Sequence, residues 1–308
     1  MQITPNFISS ISAIKPMQSK SFKGTEAVKA DEFTLNSPNN IKEADLFADR
    51  VLYMAQQGNA GLSKIEKLAR KSIPIVKAQE ISDLDKLMGK GASQRYHAYS
   101  LPEYGEGCNL KKLTIYVPEI KQTDSQEKQV RSISSVAHEF THCLQRSKDT
   151  SYLGLKDVAN GNLLSARCLN NVSSMVFGDI EQLRVSINLL DSDGTETEES
   201  LQQNLYKAFD CKSQEDFKKL VKRTFLNSFN NTYDTARLDP DVKKYLPFYN
   251  SPRDLRNAVK NQCKIRADME QEAYTVQKNV IEKHDAKQLT AIDKYSPIFY
   301  EEVAKALA

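Results

Sequence analysis

The 308-residue sequence predicts an α+β fold that is predominantly helical, with a small sheet ahead of a long helical region. Short alternating or β-branched runs are confined to residues 73–117. Beyond residue 123 the apolar residues recur at helical spacing, and several of those segments carry their own start signals.

Residues 1–40 are rich in Ser, Lys, Asn and Pro without a sustained period and read as a disordered tail. Helical spacing follows over residues 41–57 and 62–71. Three β-like runs come next, at 73–77, 95–101 and 113–117. The second and third flank the loop Tyr104-Gly105-Glu106-Gly107-Cys108, as in a long hairpin. A helix is predicted from Thr123-Asp124, where Thr123…Gln126 and Asp124…Glu127 both fit a capping box. Val130, Ile133, Ala137, Phe140 and Leu144 share one of its faces. Further helices are expected over 169–190, 198–208 and 214–228. A long one follows, with Ser251 as cap, Pro252 in its first position and an end near His284, and a last one starts at Pro297. The acidic run Asp191-Ser192-Asp193-Gly194 has its Gly fourth rather than sixth, which argues for a turn and against a calcium loop. The expected organisation is a tail at 1–40, a sheet-bearing lobe at 41–150 and a helical lobe at 151–308.

Composition narrows the function. A net charge of +3, with lysines such as Lys218-Lys219 lying close to Glu215-Asp216, leaves no basic footprint for nucleic acid. No apolar run approaches the roughly 20 residues of a membrane span. Five cysteines without CxxC spacing argue against a disulfide framework or a structural zinc knot. The N-terminus lacks the pattern of a secretory signal, so a cytoplasmic location is expected.

Chemistry concentrates in His138-Glu139-Phe140-Thr141-His142. Two histidines at i and i+4 on a helix let two imidazole nitrogens meet one zinc ion, while the intervening Glu139 reaches toward a water on the metal. At about 100° per residue, His138 and His142 lie opposite the stripe centred on Phe140, so they are not fillers of the helix's main apolar face. Cys143, beside His142, reads as a packing residue, and Cys108 in its loop has no motif around it.

Through Val136-Ala137-His138-Glu139-Phe140-Thr141-His142-Cys143-Leu144 the chain resembles the zincin superfamily of metallopeptidases. The metzincin branch carries Gly and His three and six positions after the second motif histidine. Gln145 and Lys148 stand there, which excludes that branch. The gluzincin branch takes its third ligand from a Glu on a later helix. Glu270-Gln271-Glu272-Ala273-Tyr274 is similar to its Glu-x-x-Ala-Asp pattern, with Glu270 at the ligand position and Tyr274 in place of the Asp. The Asp's part in supporting a metal-binding histidine is on this reading left unassigned, or passed to Asp268 or a backbone carbonyl. Helical angles alone leave Glu272 open as the ligand, and Glu181 is a further alternative. Glu270 shares its flank with Cys263, Arg266, Tyr274, Gln277 and Ile281, which suits a cleft wall, whereas Glu272 shares its flank with Asp268, Thr275 and Asn279.

The resemblance implies a zincin-like fold and a peptidase with one Zn2+ held by His138, His142 and Glu270. Glu139 would serve as general base and then acid, with a peptide or protein as substrate. Tyr274 is the foremost candidate for stabilising the oxyanion, ahead of His284, Arg266 and His97. The alternating run at 112–117 is expected at the sheet edge, where an extended substrate would pair with it. Two other readings are a catalytically inactive zincin-like interaction module and a proteolytic effector specific for one partner protein. Oligomeric state is not legible in the sequence.

Overall fold

The computed structural model describes residues 76–83, 85–86, 89–91, 98–104, 110–117, 124–148, 163–190, 196–238 and 251–308. The tail at 1–40, the helical patterns at 41–57 and 62–71, His97, Cys108 and the acidic run at 191–194 lie outside these residues. So does the side chain of Cys143.

Three strands form the sheet: β1 (Val76–Glu80), β2 (Tyr99–Tyr104) and β3 (Leu110–Val117), in the order β1-β3-β2. β2 and β3 pair antiparallel, with Tyr99 opposite Tyr116, as the expected hairpin requires. β1 joins β3 in parallel, with Val76 opposite Leu113. This corrects one expectation, because β3 is the central strand and not the edge. Both of its hydrogen-bonding rows are taken by neighbours, and its residues Thr114–Val117 are all buried. β2 lies at an edge among the described residues, which also accommodates Pro102, a residue with no N–H to give a ladder.

Helix α1 (Gln126–Lys148) follows β3 and packs on β2 and β3. Its start differs from the expected capping boxes. Ser125 Oγ accepts from the Lys128 backbone N–H at 3.3 Å, while the Asp124 carboxylate pairs with the Lys128 ammonium at 2.8 Å. A serine hydroxyl one residue further on takes the cap because Asp124 is engaged by that ammonium. The stripe Val130, Ile133, Ala137 and Phe140 is buried as expected.

The remaining chain is helical: α2 (Leu163–Leu183), a 3-10 segment (Arg184–Leu189), α3 (Glu198–Ala208), α4 (Gln214–Leu238), α5 (Pro252–Asp285) and α6 (Ala291–Leu307). The chain therefore has the predominantly helical α+β architecture that its periodicity indicates. No described helix is long and apolar enough to cross a membrane.

α5 has 34 residues because every local signal agrees. Ser251 Oγ caps the Asp254 N–H at 3.2 Å, Pro252 opens the helix, and Lys283 and His284 sit in the last turn, where they complement the helix dipole. Its faces pack against α1, α2 and α6. Val259, Cys263, Ala267, Ala273, Val280 and Ile281 are fully buried in those contacts. The main core lies among α2 to α6, built on Phe217, Phe299, Tyr300, Ile180 and Val221. α6 begins six residues before the expected start at Pro297, because Thr290 and Asp293 form a capping box. Pro297 then costs an internal hydrogen bond, typically about 3 kcal/mol. Burial of Tyr295, Phe299, Tyr300 and Val303 offsets that cost.

Asp293 also ties α6 to α1. Its buried carboxylate accepts from Arg131, from Gln277 Nε2 at 3.1 Å and from Thr290, while Arg131 also donates to the Gln288 carbonyl. Arg131→Ala is expected to lower unfolding free energy by about 2 kcal/mol, the usual scale for a hydrogen bond to a charged group. Urea denaturation of the full chain measures it; a loss indistinguishable from zero would show the link to be dispensable.

Candidate metal centre

Helical spacing alone brings the two histidine rings together. On α1, His138 Nε2 and His142 Nε2 stand 3.1 Å apart, with the rings edge to face at 4.8 Å between centroids. Both residues are buried, at 8% and 6% exposure, although they lie opposite the Phe140 stripe. The reason is α5, which covers the second side of α1.

From α5 comes Glu270. Its Oε2 lies 3.4 Å from His138 Nε2 and its Oε1 3.3 Å from His142 Nε2. His138, His142 and Glu270 thus form a group with metal-ligand chemistry whose ligand atoms lie within 4.8 Å of one another. The spacing can be tested against zinc. Ligand bonds of about 2.0–2.2 Å in a tetrahedron put neighbouring ligand atoms about 3.3–3.6 Å apart. The histidine nitrogens are 3.1 Å apart, and each faces a different oxygen of Glu270, Oε2 at 3.4 Å from His138 and Oε1 at 3.3 Å from His142. The donor set also fits, as two imidazoles and one carboxylate leave a tetrahedral position for a reacting group. Burial alone would raise the Glu270 carboxyl, but His142 and His138 hold it well below the usual carboxylate range.

Glu139 is partly exposed, and its carboxylate makes no hydrogen bond or ion pair among the described residues. Tyr274, one turn beyond Glu270, sets its ring edge to face against His138 at 4.5 Å. Its hydroxyl accepts from Arg184, whose guanidinium also lies over the Tyr274 ring at 5.1 Å. Burial pushes the Tyr274 hydroxyl above its ordinary range, Arg184 opposing and Glu270 and Glu181 reinforcing, so it remains a protonated donor. Tyr300 stacks on Tyr274 at 5.5 Å and donates to Glu181 Oε1 at 2.8 Å. Burial raises the Glu181 carboxyl to about 7, with a contribution from Glu270.

The alternatives separate cleanly. Glu181 is bonded to Tyr300 and is not among the converging ligand atoms. Glu272 is exposed and accepts from Gln145 Nε2 at 2.9 Å. Asp268 does not support a histidine; it is exposed and pairs with Lys264 at 2.7 Å, so that expectation is corrected. His284 is exposed and fourteen residues past Glu270, about 21 Å along the helix axis, too far to act at this centre. Arg266 donates to Ser174 Oγ at 2.9 Å.

Three residues that sequence reasoning missed complete the surroundings. Arg184 and Tyr300 reach the centre only through tertiary packing, which no local pattern reports. Gln145 accepts at Oε1 from His142 Nδ1 at 2.9 Å, and its i+3 spacing from His142 was a usable signal. Compared with known protein families, curated proteins and solved structures, the chain matches none of them.

Proposed function

We propose that this chain is a zinc metallopeptidase of gluzincin type, with a zincin-like fold and one Zn2+ held by His138, His142 and Glu270. The observation that carries the reading is the convergence of Glu270 from α5 on the histidine pair of α1, with one carboxylate oxygen 3.4 Å from His138 Nε2 and the other 3.3 Å from His142 Nε2. An HExxH helix that follows and packs on a small sheet, with the third ligand from a later helix, is consistent with that fold.

Zinc, when bound, supplies a Lewis acid that polarises the scissile carbonyl and acidifies an attacking water. Glu139 accepts the water's proton and returns it to the departing amine, a task suited to a carboxylate beside His138 that is unpaired among the described residues. Tyr274 already accepts from Arg184, so its own proton is left to donate to the oxygen that gains charge. Its ring against His138 also holds that imidazole in place.

The test is zinc content and cleavage of denatured casein by the full chain. One zinc per chain, with cleavage abolished by a chelator and restored by zinc, is the expected result. A chain that binds no zinc, or cleaves equally well after chelation, would sink the proposal. Tyr274→Phe is expected to cut kcat about 100-fold, the lower end for one oxyanion donor, with zinc affinity preserved. Unchanged kcat would return Tyr274 to a packing role.

A further inference from the structure

Gln145 occupies the position whose side chain excluded the metzincin branch, and its three hydrogen bonds give it a task. Its Nε2 donates to the Met269 carbonyl at 3.0 Å and to Glu272 Oε2 at 2.9 Å, and its Oε1 lies 2.9 Å from His142 Nδ1. A backbone carbonyl and a carboxylate are acceptors only, so the amide nitrogen must face them. The amide orientation follows, and the oxygen must face the imidazole. An oxygen that can only accept requires a proton on His142 Nδ1. In its neutral form, the one a metal ligand needs, the ring with that proton carries its lone pair on Nε2, the atom that points at Glu270 and His138.

We propose that Gln145 is a positioning residue that presets His142 as a metal ligand, holding it in the Nδ1–H tautomer and fixing the register of α1 on α5. The inference rests on the zinc reading of the site. The register follows from the same contacts, because Met269 and Glu272 bracket Glu270 in sequence. One side chain on α1 therefore grips α5 on both sides of the third ligand while orienting the second. Asp268, the other candidate for this support, is turned to Lys264. His138 is held differently, since its Nδ1 is buried without a hydrogen-bond partner among the described residues and its ring rests on Tyr274. The two histidines are thus unequal, with His142 oriented by a hydrogen bond and His138 by packing.

Outer partners of metal-bound histidines usually contribute 10–100-fold to metal affinity. Gln145→Met keeps the length of the side chain and removes its polar atoms. It is expected to weaken the zinc dissociation constant of the full chain by about 10–100-fold, measured by competition with a chromophoric chelator. The exchange Gln145→Glu with Glu272→Gln keeps an acceptor on His142 Nδ1 and a donor–acceptor pair across the helices, and it should restore most of that loss. Independently, nitrogen-15 shifts of His142 in zinc-free wild type should show the proton on Nδ1, and Gln145→Met should release it toward the Nε2–H form. A proton on Nε2 in the wild type, or zinc affinity in Gln145→Met equal to wild type, overturns the proposal while the metal site stands. Wild-type chain that takes up no zinc overturns the metal reading itself, and the ligand role of His142 with it.

Discussion

Glu139→Gln is expected to leave one zinc ion per chain in place while peptide cleavage falls by about 10²–10⁴-fold, the usual contribution of a positioned acid–base group. The substitution is nearly isosteric and removes only the ability to take and return a proton. Glu139 is not one of the three residues whose ligand atoms converge, so affinity for the metal does not depend on it. Its carboxylate is unpaired among the described residues, so the change breaks no ion pair there and the fold should tolerate it. Zinc titration and single-turnover cleavage on the same preparations separate the two effects. Cleavage that persists undiminished would dismiss Glu139 as the base. Zinc binding with no cleavage in either wild type or variant would favour the inactive interaction module over the peptidase. Retention of a partly exposed glutamate between two buried histidines gives that alternative no chemical use for the residue.

The centre was legible in sequence where one helix or one motif carries the geometry. His138 and His142 are neighbours by helical spacing, and the cap at Ser251 with Pro252 announced the helix that carries Glu270. Flank composition also distinguished the two glutamates' surroundings: Cys263 and Ile281 beside Glu270 are buried, whereas Asp268 and Asn279 beside Glu272 are exposed. Sequence reasoning failed where the answer depends on packing between elements. The run at 112–117 alternates like an edge strand, yet pairing with β1 makes it central, and alternation cannot report how many neighbours a strand has. Pro297 looked like a helix start because proline favours that position, but the Thr290–Asp293 capping box and a buried aromatic face outweigh the lost hydrogen bond. Arg184 reaches Tyr274 across two helices, a contact without any local signature.

Glu270→Ala is expected to abolish the rise in melting temperature that zinc produces in the wild type. A metal that binds only the native state stabilises it by about 4 kcal/mol at a thousandfold excess over the dissociation constant. For a chain of this size that corresponds to a shift on the order of 6 °C. Loss of Glu270 leaves the two histidines of one helix without the α5 carboxylate, and its effect should exceed the 10–100-fold typical of an outer partner. Glu181→Ala and Glu272→Ala are the controls. Glu181 is occupied by Tyr300, and Glu272 touches the centre only through Gln145, so each should keep most of the zinc-induced shift. If the shift survives in Glu270→Ala and disappears in Glu181→Ala, the third ligand is Glu181, and α2 would have to approach α1 more closely than it does here. If all three variants keep it, zinc stabilises the chain from somewhere other than this centre. Loss confined to Glu270→Ala would tie the metal to the junction of α1 and α5, where the side chains of His138, His142 and Glu270 converge.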